Sequence, residues 1–131
     1  MSGGDVRLFK TKWFMRYARK ERLEDQSLCE AIERAERGIV DADLGDGIIM
    51  QRVARTGQGR SGGYRLLLAY RSGNRAVFLY GFAKSERDNI GVDDLETLRE
   101  IGEAWLDAEE KQLEHAINEG LLKEVNYDNG K

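Results

Sequence analysis

The chain has 131 residues, which is the size of one domain with a single hydrophobic core. Hydrophobic residues make up 40% and charged residues 34%, values that are typical of a soluble globular protein and that argue against disorder. The formal net charge is −3, with 21 Lys and Arg against 24 Asp and Glu, and this average taken alone argues against nucleic-acid binding.

The positive and negative charges are unevenly distributed along the chain. Residues 1–20 carry a net charge of +5, and residues 21–49 carry −6. Residues 50–75 contain six arginines and no carboxylate, a pattern that attracts phosphate, and residues 91–131 carry −8. The alternative is a basic face that pairs internally with the acidic segments, and we expect residues 91–131 to pack near the arginine block or to balance it.

The first 47 residues predict a strand, two helices and a loop. Residues 6–9 form the strand, and Thr11 caps a helix that buries an apolar stripe. Asp25 or Ser27 begins a second helix that ends near Gly38, because its apolar residues recur at helical spacing. Residues 39–47 have the composition of a loop. The apolar stripe of the first helix contains Trp13, Phe14, Tyr17 and Ala18.

The remaining residues predict a meander followed by helices. Strands at 48–55, 64–71 and 76–82 are joined by a glycine-rich loop and by a tight turn at Ser72-Gly73-Asn74, which makes them antiparallel. Residues 84–89 form a helical turn, Asp93 caps a helix that contains Leu95, Leu98, Trp105 and Leu106, and residues 109–119 form another helix. Residues 121–125 form a last short strand or an extended tail. The order of elements predicts an α+β domain.

Several kinds of site are disfavoured by composition. The single cysteine, Cys29, cannot form an intramolecular disulfide, and with the single His115 it leaves no zinc site of the Cys/His type. One histidine also cannot supply a histidine acid/base pair. Asp41, Asp43 and Asp46 lack the spacing of an EF-hand, so we expect a solvated acidic loop. No apolar run reaches 18 residues and residues 1–5 lack the apolar core of a signal peptide, so we expect a cytoplasmic protein.

The arginines of the third block flank a loop in which four glycines allow backbone N–H groups to approach a phosphate closely. Arg52 and Arg55 fall on opposite faces of a regular strand, Arg60 lies in the loop, and Arg65 begins the next strand. The alternative is a hairpin loop with solvated arginines. The four glycines are Gly57, Gly59, Gly62 and Gly63.

Two stretches of sequence resemble the RelE/HigB-type toxins of bacterial type II toxin–antitoxin systems, within the RelE/ParE superfamily. They are QRVARTGQGRSGGYR at 51–65 and YGFAKSERDNI at 80–90. The resemblance extends over roughly residues 6–107, so we expect one RelE-like domain with an acidic helical extension at about 108–131. It implies a compact fold in which an N-terminal strand and a helical hairpin precede an antiparallel three-strand meander and C-terminal helices.

The same resemblance implies a metal-independent, cofactor-free endoribonuclease, or mRNA interferase, that cleaves mRNA in the ribosomal A site and so inhibits translation. It assigns Arg65 to the scissile phosphate and Lys84 to the acid or a phosphate clamp, while Arg52 or Arg55 stabilises the transition state. Arg60 would hold RNA, with the loop glycines Gly59 and Gly63 beside it. Tyr64 and Tyr80 are candidates for base stacking or proton transfer.

The resemblance also implies a partner and leaves two alternatives open. The partner is a cognate antitoxin, often a helix-turn-helix protein that binds operator DNA. HigB-like toxins often carry a catalytic histidine, and none stands in the matching region here. One alternative is therefore a ParE-like toxin that inhibits DNA gyrase without cleaving RNA, and the other is a non-catalytic RNA-binding module.

Overall fold

A computed structural model describes residues 6–54, 63–86 and 90–127. It has six strands and four helices within those ranges, and none of these helices is long and apolar enough to span a membrane. In chain order the elements are β1 (Arg7–Thr11), α1 (Lys12–Glu21), α2 (Asp25–Glu36), β2 (Ala42–Gly45), β3 (Ile48–Val53), β4 (Tyr64–Arg71), β5 (Arg75–Ala83), α3 (Val92–Asp107), α4 (Glu110–Asn118) and β6 (Leu122–Val125).

All six strands form one sheet in the order β2-β3-β4-β5-β1-β6. Strands β3, β4 and β5 form the antiparallel meander that the turn residues predicted. β1 lies next to the edge strand β6, at the side of the sheet opposite β2, and it pairs in parallel with β5 and antiparallel with β6. The α+β class and the antiparallel meander expected from the sequence are thus confirmed, and the sheet is larger than the meander alone.

The sheet lies between two helical layers, each with its own apolar cluster. On one face α1 and α2 cover a cluster that contains Phe14, Ile32, Leu66 and Phe78. On the other face α3 and α4 cover a second cluster of apolar side chains, which contains Ile48, Leu67, Val77, Leu79, Leu106 and Leu113. Because successive strand residues point to opposite faces, the central strands contribute side chains to both clusters. We call the two sides of the sheet the α1/α2 face and the α3/α4 face.

The local signals near the N-terminus are confirmed. The backbone N–H of Phe14 donates to the Thr11 hydroxyl at 3.2 Å, so Thr11 caps α1 as expected. Helix α2 begins at Asp25, and Gly38 adopts a φ of +84° just after the helix ends, a conformation that glycine takes without a Cβ penalty.

Two local predictions are wrong. Residues 39–47 are not all loop, because Ala42–Gly45 pair with β3 as a short edge strand with an irregular register. Asp93 does not cap α3, whose N-cap is Gly91, so Asp93 lies in the first helical turn. There its carboxylate still faces the positive end of the helix dipole, which explains the acidic residues at this point in the sequence.

The segment after residue 107, expected as a helical extension, contributes to the sheet and to the core. Leu113 of α4 is fully buried, and β6 completes the sheet beside β1. Arg7 at the start of β1 links α4 to β6, because its guanidinium donates to Glu110 of α4 at 2.7 Å and to Glu124 of β6 at 3.0 Å. These hydrogen bonds raise the pKa of Arg7 above its ordinary value, so it stays charged.

Candidate functional site

The α3/α4 face of the meander changes from apolar to basic along its length. The first cross-strand row, Ile48, Ala69 and Val77, is buried beneath α3. The second row contains Met50, Leu67 and Tyr80, and the third contains Arg52, Arg65 and Phe82. Polar side chains therefore collect at the end of the sheet where β3 stops and β4 begins.

Arg52 and Arg65 are directly opposite each other in that third row. Residues paired across antiparallel strands have Cβ atoms about 5 Å apart, and like charges in such a pair destabilise a sheet. Within the described residues, neither guanidinium forms a hydrogen bond or ion pair with a carboxylate. The Arg52 Nε atom is buried and has no partner in that part of the chain. This arrangement favours binding of an anion between the two side chains.

Two other arginines of the same sequence block have structural partners instead. Arg75 donates to the carbonyl oxygens of Trp105 at 2.7 Å and Ala108 at 2.9 Å, at the C-terminus of α3. Arg71 donates to the Leu106 carbonyl and to Asp107, both at 3.0 Å. The C-terminal part of α3 and the residue after it therefore bind the arginines at one end of the β4–β5 hairpin, while Arg52 and Arg65 lie at the other end.

Lys84 is the first residue after β5, at the same end of the sheet as the arginine pair. Its backbone N–H donates to the Gly63 carbonyl at 3.0 Å, one position beyond the Tyr64–Ala83 pair. Gly63 precedes Arg65 by two residues, so this hydrogen bond holds the Lys84 backbone close to the start of β4. Lys84 is exposed, while Gly63 is buried at the end of the glycine-rich segment.

Tyr80 reaches the same face through a β-bulge. Leu67 pairs with Tyr80 but Leu68 pairs with Phe78, so Leu79 is an extra residue in β5. A bulge of this kind changes which face the following side chains take, and bulges are common beside active sites. The Tyr80 ring centroid lies 4.6 Å from that of Trp13 and 6.2 Å from that of Phe82.

Among the other site residues from the sequence, Tyr64 does not share this surface. Tyr64 points to the α1/α2 face, is only 4% exposed, and donates its hydroxyl to Glu21 Oε1 at 3.1 Å. It is a core side chain on the opposite side of the sheet from Arg65, because the two are adjacent in β4. Arg55, Gly59 and Arg60 lie outside the described residues.

The acidic loop before β3 has structural partners. The Asp41 carboxylate accepts from the backbone N–H of Arg52 at 2.7 Å and from Arg34 at 3.1 Å. Partial burial by itself raises the pKa of Asp41, but these two hydrogen bonds outweigh it and the net pKa lies below its ordinary value. Asp43 accepts from the Gly45 N–H at 2.9 Å, and Asp46 lies 3.8 Å from Arg99. Asp41 thus holds the backbone that carries Arg52.

Trp13 is a residue that the sequence did not connect with the site. We assigned it to the apolar stripe of α1, but 45% of it is exposed and it stacks on Tyr17 at 5.3 Å and contacts Tyr80. β1 ends at Thr11, so β5 extends beyond its last pair with β1, and α1 packs alongside. One feature of the sequence could have indicated that Trp13 is exposed. Phe14 and Ala18 lie four residues apart on the buried side of α1, and Trp13 is one residue away from that side.

The sequence as a whole matches one family model. The model of the RelE toxin of the RelE/RelB toxin–antitoxin system matches residues 6–125, which include every helix and strand of the structure. No curated protein and no solved structure matches the chain significantly. The family match and the α+β fold agree with the resemblance found in the motifs, and RelE toxins pair with an antitoxin. The chain therefore belongs to the RelE toxin family and is the toxin of a toxin–antitoxin system.

Proposed function

We propose that this toxin is a ribosome-dependent mRNA endonuclease that acts in the cytoplasm and is neutralised by a helix-turn-helix antitoxin. The observation that carries the proposal is the cross-strand pair Arg52–Arg65, two guanidiniums without a carboxylate partner in the described residues. Guanidinium groups match the geometry of phosphate oxygens and keep their charge at any physiological pH. The other described arginines of the block are bound to α3 and cannot serve this purpose.

The reaction that fits this surface is attack of a ribose 2′-oxygen on the adjacent phosphorus. The 2′-O–P bond forms, the bond to the 5′-oxygen breaks, and a 2′,3′-cyclic phosphate and a 5′-hydroxyl result. Arg65 and Arg52 hold the non-bridging oxygens and stabilise the extra negative charge of the phosphorane. Lys84 donates a proton to the departing 5′-oxygen, while the 2′-hydroxyl loses its proton to a base.

The aromatic side chains next to the arginines orient the substrate in this proposal. Tyr80 is half-buried and contacts Trp13 and Phe82, which leaves an aromatic edge beside the basic row. Nucleobases bind such side chains by stacking, with little dependence on sequence. Single-stranded mRNA is the class of substrate whose bases are free to stack in this way.

Primer extension on mRNA in a purified translation system tests the proposal. We expect the wild type to cut at A-site codons only when ribosomes are present. Arg65→Ala removes one phosphate ligand and should lower the cleavage rate by about 10²-fold or more. Arg37→Ala is the matched control, because Arg37 is an exposed arginine just after α2 and its loss should leave cleavage unchanged.

The alternatives give different results in the same experiment. A folded wild-type protein that produces no cuts would contradict the nuclease proposal, and inhibition of purified gyrase would then support the ParE-like reading. Equal cleavage by Arg65→Ala and wild type would contradict the role of the arginine pair. RNA binding without cuts would indicate a non-catalytic RNA-binding module.

A further inference from the structure

The outer surface of α1 carries four cations on one side of a ten-residue helix. At 100° per residue they fall within an arc of about 100° and extend over about 12 Å of helix length. All four are exposed. They are Lys12, Arg16, Arg19 and Lys20, which we call the α1 basic stripe.

The α1 basic stripe has no ion-pair partner in the part of the chain that the structure describes. The acid on the helix, Glu21, accepts from Tyr64 on the sheet side, and Asp25 pairs with Lys10 at 2.8 Å. Four exposed cations without carboxylates on a chain of net charge −3 form a local positive field.

Trp13 joins this stripe to the candidate site. It follows Lys12 directly, borders the stripe on the side toward Tyr17, and contacts Tyr80 at 4.6 Å. A surface that combines cations with a half-exposed aromatic ring matches nucleic acid, because phosphates and base faces can be bound together. An acidic polypeptide would satisfy the cations but offers no comparable planar partner for the tryptophan ring.

We propose that the α1 basic stripe and Trp13 form a second RNA-binding surface, which holds the phosphate backbone of folded RNA while mRNA occupies the Arg52–Arg65 site. The inference rests on the proposed ribosome-dependent function, in which ribosomal RNA supplies that backbone. Folded RNA is contacted mainly through phosphates, so cations one helical turn apart are sufficient for binding.

The test measures binding of full-length toxin to a fluorescein-labelled RNA hairpin at several salt concentrations. Each phosphate contact contributes close to one unit to the slope of log K against log salt. Arg16→Gln with Arg19→Gln should reduce the slope by about 2 and weaken binding roughly tenfold or more. Lys111→Gln with Lys123→Gln is the matched control, since it removes the same charge from exposed residues of α4 and β6.

Each outcome decides the inference. A reduced slope in the α1 pair and an unchanged slope in the control pair supports it. Equal slopes in all proteins, or equal reductions in both pairs, would overturn it. Fluorescein-labelled poly-glutamate is the second probe. If the α1 pair loses binding to poly-glutamate while its RNA binding is unchanged, the inference is overturned in favour of an acidic protein partner. The assay contains no ribosome and no cleavage step, so its outcome is separate from that of the nuclease test.

Discussion

The ring of Tyr17 lies directly against the backbone of Gly81. A Cβ atom at position 81 would lie 2.8 Å from Tyr17 Cε2, which is closer than real Cβ atoms approach, and 3.0 Å from Leu66 Cδ2. We therefore expect Gly81→Ala to displace the Tyr17 ring and to lower the free energy of unfolding by about 1–3 kcal/mol. Urea denaturation of the two proteins measures this difference.

Gly91→Ala is the control for that substitution. Gly91 has a φ of −70°, and a Cβ atom there would meet only Asp94 Oδ2 at 3.8 Å. Gly91→Ala should lower the free energy of unfolding by less than about 1 kcal/mol, because a Cβ atom fits there and the only expected cost is the weaker preference of alanine for an N-cap position. Equal effects of the two substitutions would show that the Tyr17 contact does not require a glycine at position 81.

Removal of the Tyr17 hydroxyl should not destabilise the protein. This hydroxyl is buried without a hydrogen-bond partner in the described part of the chain, and burial raises the pKa of Tyr17 above its ordinary value. An unsatisfied buried hydroxyl opposes folding, so Tyr17→Phe should leave the free energy of unfolding unchanged or increase it by up to about 1 kcal/mol. Tyr64→Phe loses the hydrogen bond to Glu21 and should decrease the free energy of unfolding by about 1 kcal/mol. A clear loss of stability in Tyr17→Phe, seen by urea denaturation, would contradict this account.

Arg75 should contribute more to stability than Arg71. Arg75 donates to three carbonyl oxygens at the end of α3, where a cation also complements the helix dipole. We expect Arg75→Gln to lower the free energy of unfolding by about 2 kcal/mol. Arg71→Gln should cost less than about 1 kcal/mol, because its ion pair with Asp107 is largely exposed. Thermal unfolding ranks the two variants, and a larger effect of Arg71→Gln would contradict the expected order.

The contribution of Asp41 should depend on pH. Because its pKa is lowered in the folded state, the stabilisation is present above the unfolded value of about 3.9 and is lost as pH falls through the lower folded value. Asp41→Asn should therefore be less stable than wild type by about 2 kcal/mol at pH 7, with a smaller difference at pH 3. Urea midpoints at both pH values test this expectation. Asp107→Asn removes an exposed carboxylate and should show a difference below about 1 kcal/mol at pH 7.

Local sequence signals predicted most of the elements. The Thr11 cap, the bounds of β4 and the Ser72-Gly73-Asn74 turn depend on neighbouring residues, and the structure reproduces them. The parallel pairing of β1 with β5 could not be predicted in the same way, since it depends on which distant strands meet. The edge strand β2 was missed because its glycine and its aspartate have low strand propensity, which pairing with β3 outweighs.

The candidate site was only partly visible in the sequence. Strand alternation placed Arg52 on the same face as Met50, but it could not show that Arg65 stands opposite or that Arg75 is bound to α3. No feature of the sequence indicates the bulge at Leu79, although this bulge brings Tyr80 to the candidate site. The resemblance makes both Tyr64 and Tyr80 candidates for base stacking or proton transfer, while the register places the two side chains on opposite faces of the sheet.

The position of β1 has a consequence for the order of folding. The meander β3-β4-β5 is made of contacts between chain neighbours, but β1 pairs only with strands that are distant in sequence, β5 and β6. Closing such long loops is slow compared with forming hairpins. We therefore expect the meander to form first, with the apolar edge of β5 unpaired until β1 inserts. That intermediate is the species most prone to aggregation through edge pairing.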